Sequence, residues 1–263
     1  MIEQIKIGCA STKTTYGHRL DTTLVELNSD AKISGLFTSN KFKSAPVQIC
    51  LDQFEAKMKG KKMLAINAGN ANAATGKKGV SDAKKLIQEI SNLTNISTTQ
   101  ILPFSTGVVG QLLDVKQLSS AFNKCFKNLS KNSWDDFAKA IMTTDTKSKI
   151  IKLSFKAGSK KYHIVGIAKG VGMIEPNMAT TLSYVFTDLK IPELTLRKLH
   201  KKICDKTFNA ISIDGDQSPS DSSILVATGS SKVNFKNYSK KIEKDIFSIF
   251  SKLSEKKVID VEG

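Results

Sequence analysis

The sequence predicts a layered fold of mixed α and β structure, of either the α+β or the α/β class. Strand-like and helix-like segments alternate along nearly the whole chain. The 263 residues are 40% hydrophobic with only 5 prolines, which is enough apolar material for a sizeable core in one or two domains. We find neither an internal repeat nor a low-complexity linker that would favour a different architecture.

The predicted strands are short apolar or β-branched runs, at 22–28, 33–38, 63–67, 149–155, 161–168, 181–188 and 222–229. The fourth and fifth runs flank Gly158 and predict a hairpin. The predicted helices carry apolar residues at helical spacing. One predicted helix follows Pro46, and another begins after an N-cap at Ser81. The others cover 115–129, 133–142, 193–207 and 237–254. We interpret the lysines of the last helix as a solvated face.

The net charge of +16 is the property that most favours a nucleic-acid partner. Arg19 and Arg197, however, are the only arginines among the 40 basic residues. Proteins that bind bases and phosphates favour arginine, whose guanidinium can donate two parallel hydrogen bonds. We therefore interpret the lysines as a general background and predict no nucleic-acid partner.

The cysteines and the termini favour a cytoplasmic protein. The four cysteines are far apart and form no CxxC pair, which argues against a zinc site and suits a reducing compartment (Cys9, Cys50, Cys125 and Cys204). No apolar run reaches the roughly 18 residues of a membrane span. The N-terminus has no apolar core of a secretory signal.

Three segments rich in small and polar residues interrupt the pattern: PFSTGVVG at 103–110, AKGVGMIEPNMATTLSYVFTD at 168–188 and FNAISIDGDQSPSDSSILVATG at 208–229. The Thr106-Gly107 step is either an ordinary turn or a turn that aims N–H groups at an oxyanion. The third segment is either a metal loop or, better, a turn capped by Asx side chains.

Thr180 follows a small residue at the start of a predicted strand. This is the position of an N-terminal-nucleophile threonine, whose hydroxyl reaches the preceding carbonyl and whose free α-amine later serves as the base. The alternative is that Thr180 and Thr181 are simply β-branched residues that open a strand.

Taken together, six segments resemble the bifunctional ornithine acetyltransferases, which are the glutamate N-acetyltransferases of arginine biosynthesis. The strongest is KGVGMIEPNMAT at 169–180, and all occur in the family's order. The others are NAGNANAATG (67–76), STGVVG (105–110), IMTTDT (141–146), FNAISIDGDQSPSD (208–221) and ILVATG (224–229).

The resemblance implies an α+β layered sandwich of mixed sheets and helices, shared with the self-processing N-terminal-nucleophile β-aminopeptidases. It implies cleavage between Ala179 and Thr180 into an α segment, 1–179, and a β segment. Residues 180–263 would be only the N-terminal part of that segment, since family members continue beyond the Glu-Gly step at 262–263. Two α and two β chains would form a heterotetramer.

The resemblance also implies the roles of single residues. Thr180 would accept an acetyl group from N-acetylornithine as an ester and pass it to glutamate. Thr106 and Gly107 would form the oxyanion hole. Substrate contacts would come from Thr143, Lys169, Thr180 and Glu262. No metal or resident cofactor is implied, although acetyl-CoA remains open as a second acetyl donor.

The sequence departs from the family pattern at Val171, Glu175 and Thr181, where Thr181 replaces a common Met and adds a second hydroxyl beside the nucleophile. Two alternatives to the transferase remain. One is a self-processing threonine aminopeptidase that uses the same nucleophile. The other is an inactive basic binding protein, an idea that rests on the charge alone.

Overall fold

A computed structural model describes residues 2–13, 17–130, 133–172 and 181–260. Its nine strands within these ranges are β1 (Ile5–Ala10), β2 (Thr22–Leu27), β3 (Lys32–Phe37), β4 (Lys62–Asn70), β5 (Ile101–Val108), β6 (Lys149–Ala157), β7 (Lys160–Lys169), β8 (Leu182–Thr187) and β9 (Ser222–Ala227). The α-helices in the same ranges are α1 (Ala45–Glu55), α2 (Gly76–Thr94), α3 (Val115–Lys127), α4 (Trp134–Ala140), α5 (Glu193–Asp205) and α6 (Ser239–Ile259).

Short 3-10 helices are formed by Thr98–Gln100, Phe208–Ala210 and Phe235–Asn237. The chain divides into two compact units. The first unit consists of Ile5–Ser29 and Asn40–Thr143. The second consists of Met1–Gln4, Asp30–Ser39 and Thr144–Gly263.

The first unit has a four-stranded mixed sheet in the order β1-β2-β4-β5. Only the β4–β5 pair is parallel. Helices α2 and α3 are amphipathic, and their buried stripes form one core with apolar residues of the strands. The principal contributors to this core are Leu24, Met63, Leu86, Ile87, Ile90, Ile101, Phe122 and Cys125.

The second unit has a five-stranded mixed sheet in the order β3-β9-β8-β7-β6. Strands β8 and β9 run parallel, and the other pairs are antiparallel. Helices α5 and α6 supply the buried stripe of the core. Gly166 on β7 admits α6 closely, since a Cβ there would lie 2.5 Å from Ile249 Cγ2. Two mixed sheets with helices confirm the predicted α+β class.

Three details differ from the sequence predictions. Strands β1 and β5 were not predicted: β1 carries only a short apolar alternation, and β5 contains Pro103 and small residues of the segment 103–110, which are unusual in a strand. Helix α2 begins at Gly76 rather than after Ser81. The physical reason is a close local contact: a Cβ at Gly79 would lie 1.8 Å from Oγ1 of Thr75, the N-cap, so glycine lets this extra turn form.

The third difference concerns α6, where the lysines do not all face solvent. Lys257 is completely buried, whereas Lys256 is exposed. Within the described residues, no helix combines the length and apolarity needed to span a membrane.

Candidate active site

Two of the six motifs, at 67–76 and 105–110, meet at one edge of the first unit's sheet. Because β4 and β5 are parallel, their carboxyl ends lie side by side. Ser105 Oγ donates to Asn67 Oδ1 at 2.6 Å. Beyond the strands, the Ala71 N–H donates to the Val108 carbonyl at 2.9 Å. The structure therefore joins the segments 67–76 and 105–110 through side-chain and backbone hydrogen bonds.

Thr106 and Gly107 lie where this parallel ladder becomes irregular. Asn70 is opposite both Thr106 and Val108, which marks a shift of register. Gly107 has a φ of +123°. Thr106 is nearly buried, with 8% of its surface exposed. A shift of this kind redirects peptide groups away from the regular ladder, which is the geometry needed to point an N–H toward a ligand.

Thr143 lies after α4 in the same unit, in a turn that Arg19 holds. Arg19 Nη2 donates to the Met142 carbonyl at 2.7 Å, and both Nη atoms lie 3.4 Å from the Thr143 carbonyl. No sequence motif marked Arg19 as a residue that supports the site. Its rarity in a lysine-rich chain was the available signal, because guanidinium groups are suited to binding two acceptors at once.

Lys169 is the last residue of β7 in the second unit. It lies opposite Leu182, the first residue of β8, and only 5% of its surface is exposed. Lys169 is therefore a buried lysine at the end of a strand, which sets it apart from the general background of surface lysines.

Asp145 connects the end of β7 to a buried charge cluster. Its Oδ1 accepts from the Gly170 N–H at 2.9 Å and from Lys149 Nζ at 2.6 Å. Burial alone would raise the pKa of Asp145, but the charges of Lys169 and Lys149 and these hydrogen bonds lower it below its usual value.

Thr181, also in the second unit, is held by hydrogen bonds to its backbone and its side chain. Its N–H donates to Asp221 Oδ1 at 2.6 Å, and its carbonyl accepts from the Ser222 N–H at 2.8 Å. Lys257 Nζ donates to its hydroxyl. Because Thr181 lies in the segment 168–188 and Asp221 in the segment 208–229, the structure brings the second and third small-residue segments together at Thr181.

The rest of the third segment forms an Asx turn, in which the Asp216 N–H donates to Asp214 Oδ1 at 3.2 Å. Among the described residues, no cluster of three or more His, Cys, Asp or Glu side chains could hold a metal ion. Ala179, Thr180 and Glu262 lie outside the described residues.

The fold and these segments together define the class: an α+β protein with two mixed sheets, with small-residue motifs at the strand ends. The chain belongs to the ArgJ family, whose sequence model matches residues 4–263. This confirms the family that the six motifs indicated.

Known proteins of this family resemble the chain in sequence and structure. The Arginine biosynthesis bifunctional protein ArgJ of Colwellia psychrerythraea is 40% identical over 239 residues, or 88% of this chain. The chain spans 56% of that relative's length. The crystal structure of the Bacillus halodurans protein of the same name is 27% identical, with a TM-score of 0.56 over 68% of this chain and 92% of that one.

A second crystal structure, of ornithine acetyltransferase from Mycobacterium tuberculosis complexed with ornithine, supports the fold. Its TM-score is also 0.56, at 24% identity, over 66% of this chain and 92% of that one.

Proposed function

We propose that this chain is the catalytic part of a self-cleaving acetyltransferase of arginine biosynthesis, which moves an acetyl group from N2-acetylornithine to glutamate. The proposal is supported by membership of the ArgJ family and by the names of its relatives, one of which was crystallised with ornithine. The single observation that carries it in the structure is the fixation of Thr181, the residue directly after the proposed nucleophile.

The first reaction is cleavage of the Ala179–Thr180 peptide bond. Thr180 Oγ attacks the Ala179 carbonyl carbon, the C–N bond breaks, and an ester replaces the amide. Water then hydrolyses the ester, which leaves a carboxylate on Ala179 and a free α-amine on Thr180. The products are residues 1–179 and a chain that begins at Thr180.

The second reaction uses the new N-terminus twice. The α-amine accepts the Thr180 hydroxyl proton while Oγ attacks the acetyl carbon of N-acetylornithine, and ornithine leaves with that proton. The amine of glutamate then attacks the acetyl-threonine ester and frees Thr180. Thr106 and Gly107 stabilise the oxyanion in each step, a role that their position at an irregular strand end supports.

Charged residues account for recognition of the two amino-acid substrates. Lys169 pairs with a substrate carboxylate, and Glu262 pairs with the ammonium of ornithine. Thr143 adds a polar contact. The burial of Lys169 supports its role, because a partly desolvated cation attracts a carboxylate more strongly than a fully hydrated one.

The decisive experiment is the intact mass of the purified chain. Two fragments that separate at Ala179–Thr180 are expected, and Thr180→Ala should give one uncut chain. Thr99→Ala, at an exposed threonine of the first unit, is the matched control and should cleave normally. Cleavage of Thr180→Ala at the same bond would refute the mechanism.

Transfer is tested separately with acetylornithine and glutamate as substrates. Formation of acetylglutamate with ping-pong kinetics is expected. Release of acetate alone, or hydrolysis of peptides by the same threonine, would instead indicate the aminopeptidase reaction. Acetyl-CoA in place of acetylornithine distinguishes a bifunctional enzyme from a monofunctional one.

We further propose that the processed chains assemble as a heterotetramer of two α and two β chains and act in the cytoplasm. Size-exclusion chromatography with light scattering measures the first property, and fractionation of cells measures the second.

A further inference from the structure

Lys257 is a lysine whose burial needs an explanation. It lies near the end of α6 with 0% of its surface exposed. Its Nζ donates to Thr181 Oγ1 and lies 4.5 Å from the centroid of the Phe208 ring. Burial lowers the pKa of Lys257 to about 7, although the nearby Asp221 and Cys204 act to raise it. A buried amine is costly, so its contacts must compensate for the lost hydration.

Two charged residues, Lys257 and Asp221, both bind Thr181. Lys257 engages the Thr181 side chain, whereas Asp221 accepts from its backbone N–H at 2.6 Å. The Thr181 carbonyl is also bonded, by the Ser222 N–H. Thr181 is thus fixed by its side chain, its N–H and its carbonyl.

We propose that Lys257 is a positioning residue of the acyl-transfer site, which acts by fixing Thr181 and thereby the backbone that carries the reactive Thr180. The proposal rests on the proposed function and deepens it. It also gives a role to the second hydroxyl beside the nucleophile, which Lys257 binds in the structure.

The expected effect follows from the sensitivity of acyl transfer to geometry. A displacement of about 1 Å at a reacting group can cost about 100-fold in rate. Lys257→Met keeps an unbranched side chain only one atom shorter but removes the donor. We expect it to slow cleavage at Thr180 and to lower kcat for acetyl transfer by about 10- to 100-fold, with KM unchanged, since Lys257 does not touch the substrate.

The experiment is a double-mutant cycle on the full 263-residue chain. Thr181→Val removes the partner hydroxyl at nearly constant shape, and Thr181→Ser retains a hydroxyl. Lys256→Met, at an exposed lysine on the same helix turn, is the control. The rate of cleavage is followed by intact mass, and circular dichroism establishes that each variant is folded.

Coupled effects support the proposal: the double variant should be no slower than the slower single variant, and Thr181→Ser should be faster than Thr181→Val. Additive effects, a wild-type rate for Lys257→Met, or a change confined to KM would overturn it. If Lys257→Met does not fold, the comparison of Thr181→Ser with Thr181→Val decides, and equal rates would overturn the proposal.

Failure of this proposal is distinguishable from failure of the proposed function. Thr180→Ala is measured in parallel. Cleavage of Thr180→Ala refutes the function itself. A blocked Thr180→Ala beside a fully active Lys257→Met refutes only the role of Lys257.

Discussion

Lys149 and Asp145 form an ion pair of 2.6 Å between Nζ and Oδ1, with only 2% and 1% of their side chains exposed. Lys149 also binds Asp260, which follows α6. Asp260 in turn accepts from the Thr146 hydroxyl. The buried ammonium of Lys149 therefore links the start of β6 to Asp260 at the end of α6. It also links β6 to Asp145, which binds the Gly170 N–H.

Removing this ammonium should destabilise the protein strongly. Lys149→Met removes the ammonium that binds both Asp145 and Asp260, and breaking comparable buried ion pairs costs about 3–5 kcal/mol. Urea unfolding at pH 7 measures the loss. Lys156→Met, at an exposed lysine on the same strand, is the control and should change little. Equal stabilities of the two variants would contradict the prediction.

His200 should make the protein sensitive to acid. It is completely buried, with Nδ1 3.0 Å from Ser34 Oγ and Nε2 2.9 Å from Ser223 Oγ. Burial lowers its pKa from 6.5 to about 3. Between these values the unfolded chain binds a proton that the folded chain does not. Stability from His200 is therefore complete above pH 6.5 and falls as the pH drops toward 3.

The measurement is the free energy of unfolding at several pH values for the wild type and His200→Phe. The variant leaves two serine hydroxyls without the imidazole, so it should be less stable at pH 7. The difference should shrink by about 1.4 kcal/mol per pH unit on acidification within this window. A difference that stays constant with pH would show that His200 is not the titrating group.

Gly107 should not tolerate a side chain. Its φ of +123° is strained for other residues, and a Cβ would lie 2.4 Å from the Gly69 carbonyl carbon. Gly107→Ala should thus lose about 1–3 kcal/mol of stability from strain alone, and more from the clash. Gly110→Ala is the matched control, since its φ is +84° but nothing lies within 4 Å of a Cβ.

Thermal unfolding should rank the wild type first, Gly110→Ala second and Gly107→Ala last. Acetyl transfer should fall much further in Gly107→Ala than in Gly110→Ala, if Gly107 stabilises the oxyanion as proposed. The reverse order in either measurement would contradict the assignment.

Arg19 should affect substrate binding through Thr143. Arg19→Met removes the donors to the Met142 and Thr143 carbonyls. Because Thr143 is a proposed substrate contact, KM should rise several-fold while kcat changes less. Arg197→Met is the control: its ion pair with Glu193 is exposed, with 45% and 49% of the side chains accessible. Steady-state kinetics that give both variants the same KM would refute this role.

Prediction from sequence was most successful where periodicity within a single segment carries the information. The β6–β7 hairpin and helices α3 and α5 were predicted from periodicity that persists in the structure. It failed at the start of α2, where a glycine is packed against Thr75, a contact that periodicity does not register. Strands β1 and β5 were also missed, because β1 carries a short pattern and β5 contains a proline and several small residues.

The candidate site shows the same division. Contiguous motifs identified Thr106, Gly107, Thr143 and Lys169, together with Ala179, Thr180 and Glu262, whose roles remain predictions. Their supporting residues were missed because they are distant in the chain: 124 positions separate Arg19 from Thr143, and 76 separate Lys257 from Thr181.

The sequence by itself determined the family, the mixed α and β composition and the motifs in which the chemistry is proposed to reside. Only the tertiary structure decided which lysines are buried and what they bind. Among the forty basic residues, Lys149, Lys169 and Lys257 look alike in a linear pattern. The reason is physical: burying a charge depends on partners from other strands and helices, and local periodicity does not encode them.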